Sequence, residues 1–354
     1  MIKVCPVFYK PAAVITVRIK FARSFTIKDY TSKLVKTSLI QADSKLEDIF
    51  AKGRDLPPKP IHITPLYTIE KKRGKRAIYA HVIAKGSTAK PPSVENIKPV
   101  TIKANKNYVF YIGSSVALLD TILSALLNLG TVVFGQEIVE ISDVDYTVNY
   151  IDVDKESEKI KNKLEEICDK KEESTSKLKI VFESPTVLKD PLVIRRKKKK
   201  KILLPLPEAI LSTPLLMTLV QRGLYKKTLF LRLSRYIKSI FDIPYTALKT
   251  VNLTWYVYNN KPLPALIGYI AYFIDCSILN HAQARINIKY RLNLLNLLSE
   301  AIVLAQVYGV GNGRAAGFGH ISIRLINFPS SRLIDEEELQ QKIPEENIQT
   351  KTLK

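Results

Sequence analysis

The chain of 354 residues predicts an α+β protein made of two tandem ferredoxin-like (βαββαβ) domains. Three observations carry this. The order strand, helix, strand, strand, helix, strand runs through residues 14–134, and the same order returns across 178–326. Between the two runs, 152–177 is rich in acidic and basic residues and poor in apolar ones, the composition of a solvated helix or linker. The expected organisation is an N-terminal ferredoxin-like domain at 1–151, a charged linker or insertion at 152–177, a C-terminal ferredoxin-like domain at 178–327 and a charged, mobile tail at 328–354.

VITVRIKF (14–21) alternates and is rich in β-branched residues, so it predicts a strand. TIKDYTSKLVKTSLIQA (26–42) predicts a helix opened by Thr26. IHITPLYTI (61–69) and RAIYAHVIAK (76–85) read as a hairpin around a Lys/Arg/Gly turn, followed by a strand near 100–111. The apolar run SSVALLDTILSALLNLGTVVF (114–134) contains Asp120 and Asn128 and turns β-branched after Gly130. It predicts a buried helix from Ser114 or Ser115 and a strand from Thr131, not a membrane span. In the second half a strand is expected at 178–183, a helix across 212–240, strands at 247–258 and 265–275, a helix at 290–307 and a last strand, GHISIRLI, at 319–326.

Lys and Arg number 55 against 33 Asp and Glu, a formal charge of +22. Such an excess points to a polyanionic partner, either nucleic acid or an acidic membrane surface. No amphipathic segment with aromatic anchors supports the membrane. Cys5, Cys168 and Cys276 stand at unrelated spacings, which predicts neither a disulfide framework nor a zinc site and fits a reducing cytoplasm. The N-terminus MIKVCPVFYK lacks the apolar core of a signal peptide, so a cytoplasmic location is expected.

VYGVGNGRAAGFGHISIRL (307–325) sets five glycines within eleven residues, between a helix-like run and an alternating strand. Glycine inside an element costs roughly 1 kcal/mol relative to alanine, so something must approach this backbone closely. Gly309, Gly311, Gly313, Gly317 and Gly319 suit a phosphate cradle with Arg314 adding charge; a tight helix-to-strand turn explains them as well. The segment lacks the Lys-Ser/Thr of a P-loop. It also follows a helix and opens a strand, the reverse of a Rossmann fingerprint.

Taken with KPIHITPLY (59–67), FESPTVLKD (182–190), LLPLPEAIL (203–211), LFLRLSRYIK (229–238) and ALIGYIAYFIDC (265–276), the glycine segment resembles the CRISPR-associated endoribonucleases that cut repeat RNA to release guide RNAs. These belong to the repeat-associated mysterious protein superfamily, and the resemblance covers about residues 12–327. The terminal loop is common across the superfamily, whereas the SPT, PLPE and GY series is more particular to the processing nucleases. The resemblance implies repeat RNA lying across a basic face and cleft, with an RNA phosphate close to the glycine loop. It implies a metal-independent reaction in which a ribose 2′-OH attacks the adjacent phosphorus, leaving a 2′,3′-cyclic phosphate and a 5′-OH. No cofactor or metal site is expected. The partners are CRISPR repeat RNA and, in the rival reading as a non-catalytic RNA-binding subunit, a CRISPR effector complex; the chain acts as a monomer or homodimer.

Many members of that family place a histidine just after the first helix. Here the comparable stretch, KLEDIFAKGRDLPPKP (45–60), offers Phe50 or Ala51 at that point. His62 and His81 fall in predicted strands and read as structural, His281 falls in a predicted loop, and His320 follows the glycine loop. Lysine is the available chemistry. Lys33 and Lys36 share a helix face at i, i+3, Lys28 precedes them and Lys52 follows, and these four are the candidate catalytic residues. They can hold the phosphate and stabilise its developing charge, and one of depressed pKa can protonate the leaving oxygen. An ordinary solvated helix face would carry the same lysines. The candidate RNA contacts are Arg54, then Arg195 and Arg196 in RRKKKKK (195–201), then Arg232, Arg235 and Lys238 in a stripe beside Tyr236, and finally Gly311, Gly313, Arg314, Gly317 and Gly319.

Overall fold

The first predicted strand buries alternate residues. In β1 (Ala12–Phe21), Ala13, Ile15, Val17, Ile19 and Phe21 face the core while Arg18 is exposed. The computed structural model describes residues 8–51, 57–70, 74–82, 94–169, 177–193, 201–244 and 249–326. The expected tail at 328–354, and residues 195–200 of the cationic run, lie outside the described residues.

After β1 come β2 (Phe25–Ile27), α1 (Thr31–Ala42), α2 (Lys45–Phe50), β3 (Ile61–Ile63), β4 (Tyr67–Glu70), β5 (Gly74–Ala77), β6 (His81–Val82), β7 (Ile97–Lys98) and β8 (Val100–Ile102). Then follow β9 (Tyr108–Ser115), α3 (Leu119–Leu127), β10 (Thr131–Phe134), β11 (Glu137–Ile151) and α4 (Val153–Asp169). The second half begins with β12 (Lys177–Thr186), β13 (Leu188–Lys189), β14 (Lys201–Ile202), α5 (Pro207–Ile210), α6 (Ser212–Gln221) and α7 (Lys227–Ile240). It ends with β15 (Phe241–Asp242), β16 (Val251–Tyr258), β17 (Lys261–Ile274), α8 (Cys276–Tyr290), α9 (Leu294–Tyr308) and β18 (Ile321–Ile326).

One sheet runs β10-β11-β1-β9-β4-β5 with β3 also on β9, and the other runs β18-β12-β17-β16-β6-β7. Within them, β11-β1-β9-β3/β4 and β18-β12-β17-β16 are the antiparallel arrangement of two ferredoxin-like domains, so the tandem fold holds. Leu34, Val35 and Leu39 of α1 and Ile122 and Leu126 of α3 close the first core over Ile15 and Val17.

Several elements depart from expectation. The first helix begins at Thr31, because Phe25–Ile27 pairs with β8 as a strand. The hairpin stops at Ala77; the chain then crosses over, and His81 pairs with Tyr256 of the second sheet. Together β6 and β7, from the first half, extend the second sheet, so the sheets do not divide at residues 151 and 178. The strand near 100–111 resolves into β8 and β9. Ser115, the last residue of β9, is also the N-cap of the short helical turn Val116–Leu118 that leads into α3, close to the expected helix start. The helix across 212–240 is two helices, interrupted near Gly223. His281 sits on α8, a helix read as loop. The charged stretch 153–169 is a helix whose Val153, Leu164 and Ile167 are buried. Among the described residues no helix is long and apolar enough to cross a membrane.

The cysteines also need correction. Cys168 at the end of α4 and Cys276 at the start of α8 form a disulfide, with Cα atoms 5.3 Å apart across 108 residues of sequence. Spacing could not reveal the pair, since only the packed second domain brings the two helix ends together. A bridge closing a loop this long restricts the unfolded chain, a stabilisation of about 2–4 kcal/mol. Reductant, or Cys168→Ser, is therefore expected to lower the thermal midpoint by several degrees. An unchanged midpoint in calorimetry would contradict it.

Candidate functional site

Helix α9 carries the second domain onto the first. At its end the Tyr308 hydroxyl donates to Tyr9 O at 2.9 Å, and the Tyr9 hydroxyl donates to Pro58 O at 2.5 Å. A Cβ on Gly113 of β9 would overlap the Val307 carbonyl, so only glycine lets α9 approach this sheet so closely.

The glycine loop follows. All five of its glycines have positive φ. At Gly317, φ +95°, a Cβ would fall on the Ser32 side chain; Ser32 Oγ donates to Ala316 O at 2.6 Å and the Tyr30 hydroxyl to Gly317 O at 3.1 Å. What approaches the backbone so closely at Gly317 is therefore helix α1 of the other domain, while at Gly311 it is the Val187 carbonyl and at Gly319 the loop's own Val310 carbonyl. The expectation of a phosphate as the close visitor is corrected to that extent. The SPT segment holds the loop from the other side. Val187 O accepts from Asn312 N at 2.8 Å, Pro185 O from Gly319 N at 3.1 Å, and Ser184 Oγ from His320 N at 2.9 Å.

Arg314 is buried. Its Nη1 donates to Tyr308 O at 2.8 Å and its Nη2 to Lys59 O at 3.3 Å, and burial lowers its pKa to about 10. The guanidinium thus ties the loop to the backbone of Lys59, while the loop's outer surface at Gly311–Ala316 floors a cleft of about 380 Å³ between the domains.

One wall of that cleft is cationic. Lys36 Nζ donates to Phe50 O at 3.1 Å and lies 5.4 Å from the Phe50 ring centroid; Lys59 Nζ donates to Ala51 O. Two ammonium groups are therefore set on the carbonyls of Phe50 and Ala51, the residues found where a histidine was looked for. Partial burial, with Lys36 and Arg314 nearby, lowers the pKa of Lys59. Lys189 of β13 and Tyr258 of β16 line the facing side. Reading the sequence missed Lys59 and Lys189. Both stood in segments that carried the resemblance, and Lys59 lies two residues before β3.

The other candidates are placed as follows. Lys28 is exposed ahead of α1, and Lys33 pairs with Asp29 Oδ2 at 2.8 Å. Arg232, Arg235 and Lys238 lie on α7, and none of them lines the cleft. Lys52, Arg54, Arg195 and Arg196 are outside the described residues. No group of three or more His, Cys, Asp or Glu residues suited to a metal ion occurs among the described residues.

Behind the glycine loop the two sheets meet at a half-buried polar cluster around buried His62. His62 Nδ1 donates to Arg314 O at 2.9 Å, leaving its Nε2 to accept from His320 Nδ1 at 3.4 Å. His320 stacks on Tyr111, its Nε2 is 3.5 Å from Glu183 Oε2, and Lys75 pairs with that same carboxylate. Burial, reinforced by Lys75, pushes the pKa of His320 down to about 3, and burial holds His62 well below its usual value. An unfolded histidine takes up its proton near pH 6.5, whereas folded His320 does not until far lower. The unfolded state thus binds more protons in between, so stability is intact above pH 6.5 and falls below it. By pH 5 the loss from His320 alone is about 2 kcal/mol. Urea midpoints at pH 7.5 and 5 should show this drop, with His320→Gln reducing it; equal midpoints would contradict it.

No protein-family model matches the chain, and no curated protein matches it. Solved structures do. A Cas6 product complex is 14% identical with a TM-score of 0.54, covering 89% of this chain and 99% of that one. A partial Cas6-RT-Cas1–Cas2 complex is 13% identical with a TM-score of 0.50, covering 91% of this chain and 47% of that one. Thermus thermophilus Cas6 is 13% identical with a TM-score of 0.48, covering 89% and 98%. Over 89% of its length, this chain shares the tandem ferredoxin-like fold of the Cas6 product complex.

Proposed function

We propose that the protein is an endoribonuclease of the Cas6 kind, cutting CRISPR precursor RNA within its repeats by 2′-OH attack and leaving 2′,3′-cyclic phosphate and 5′-OH ends. The observation that carries this reading is the pair of ammonium groups, Lys36 and Lys59, anchored on the Phe50 and Ala51 carbonyls above the glycine loop. The fold shared with a Cas6 product complex and the SPT, PLPE and GY segments support it.

Three tasks face the site: accepting the 2′-OH proton, neutralising the phosphate oxygens and protonating the leaving 5′-oxygen. Lys36 and Lys189 are suited to the second, as compact cations from opposite walls. Lys59, its pKa lowered by burial and neighbouring cations, is suited to the third. With no carboxylate or histidine among the described residues lining the cleft, the 2′-OH proton passes to water. Of the other candidate catalytic lysines, Lys28 and Lys33 do not line the cleft, and Lys52 lies outside the described residues. The chain's four histidines have no part in the assignment: none lines the cleft, His62 being buried and His320 half-buried behind the loop, His81 half-buried on β6 and His281 exposed on α8. Metal independence belongs to the proposal.

The second reading, a non-catalytic RNA-binding subunit, draws on the lack of a cleft histidine. End-labelled repeat RNA incubated with the protein in EDTA separates the two. The nuclease gives a discrete 5′ fragment ending in a cyclic phosphate; the binding subunit shifts the RNA and leaves it whole.

A further inference from the structure

Helices α7 and α8 lie against one another, and Leu233 and Ile237 of the first and Ala282 and Ile286 of the second are buried in the same core. Above that seam they repeat one another. Arg232, Arg235 and Tyr236 occupy i, i+3 and i+4 of α7, and Arg285, Ile288 and Lys289 occupy i, i+3 and i+4 of α8. The six line a groove of about 630 Å³ whose lining holds no carboxylate. The Arg232 guanidinium sits 5.7 Å from the Tyr290 ring centroid, and Ile288 is 84% exposed. None of these residues lines the inter-domain cleft.

Four cations with no acid among them are costly to hold together unless a polyanion neutralises them. A rise of about 1.5 Å per residue puts Arg285 and Lys289 about 6 Å apart along α8, a step that suits successive phosphates of an extended strand. Tyr236 and the bare Ile288 side chain offer unpaired bases an apolar platform between the two basic rows. Such a channel of cations flanking an aromatic ring holds single strands through backbone charge and base stacking.

We propose that the α7–α8 groove is a second RNA site, separate from the cleft, that grips a single-stranded stretch of the same RNA outside the segment being cut. This rests on the reading of the chain as an RNA-processing protein. The test uses the full chain and fluorescence anisotropy, with two probes: a repeat RNA carrying its single-stranded flank, and the same repeat with the flank removed. Both carry a 2′-deoxyribose at the scissile position to prevent cutting.

Arg235→Glu with Arg285→Glu should weaken binding of the flanked RNA at least tenfold. It should also flatten log K against log salt by about 0.7 for each phosphate the protein no longer neutralises. The pair Arg235→Lys with Arg285→Lys should largely preserve affinity. Tyr236→Ala should cost about tenfold, and Tyr236→Phe much less, because stacking needs only the ring. The flankless RNA should respond weakly to all four changes. Circular dichroism confirms that the variants fold, which the exposed positions of Arg235 and Arg285 favour; for half-buried Tyr236 it separates lost packing from lost stacking.

Charge-reversed protein that binds the flanked RNA with wild-type affinity and slope overturns the groove. Equal losses on both RNAs also overturn it, since the effect would then be general attraction. Wild-type protein that binds neither RNA overturns the underlying reading as well.

Discussion

Replacing Lys59 with alanine is expected to slow single-turnover cleavage of repeat RNA by about 10²–10³, with affinity for the RNA reduced less than about tenfold. The expectation follows from where the ammonium is fixed. It is anchored on the Ala51 carbonyl at the wall of the cleft, and the backbone of Lys59 is itself held by Arg314. A group beside the reacting phosphorus acts mainly on the transition state, whereas a distant cation favours bound substrate and transition state alike. Lys36→Ala should behave similarly, and the arginine variants separate the two roles. Lys36→Arg should recover much of the rate, because charge is what that position supplies. Lys59→Arg should not, because guanidinium does not release a proton near neutrality. Rates at saturating protein, set beside affinities, check all four. If Lys36→Ala and Lys59→Ala lose affinity alone, the two lysines only hold the RNA backbone and the reaction is carried elsewhere.

The parts of this architecture that were legible in the sequence are those where burial follows a short period. The alternation of 14–21 became β1, and the apolar run around Asp120 became α3 followed by β10. The glycine cluster announced a crowded backbone, but its composition could not say that Ser32, and not an RNA phosphate, fills the space at Gly317. Strand β11 escaped notice because its fifteen residues are mostly exposed or half-buried and carry four acids, two of them paired with Arg18 and Lys20 of β1. The crossing of β6 into the second sheet is set by pairing with Tyr256, far along the chain, which no local pattern reports. The disulfide was hidden for the same reason. In the site, Lys36 was visible from helical spacing. Lys59 was not, since its role comes from a carbonyl neighbour and from burial beside Arg314.

Removing one oxygen from the substrate should have the largest effect of all. If the attacking nucleophile is the ribose hydroxyl next to the scissile phosphate, a single 2′-deoxyribose there leaves nothing to attack, whatever the protein contributes. Every phosphate remains, so the contacts made by Lys36, Lys189 and the rest of the basic surface persist and binding should be retained within a few-fold. The direct measurement compares two end-labelled repeat RNAs in EDTA at saturating protein, one all-ribose and one deoxy at the scissile nucleotide. The expected result is cleavage of the first to a 2′,3′-cyclic phosphate product, and binding of the second without cleavage. Undiminished cutting of the deoxy RNA, or an intact all-ribose RNA, would contradict the proposed reaction.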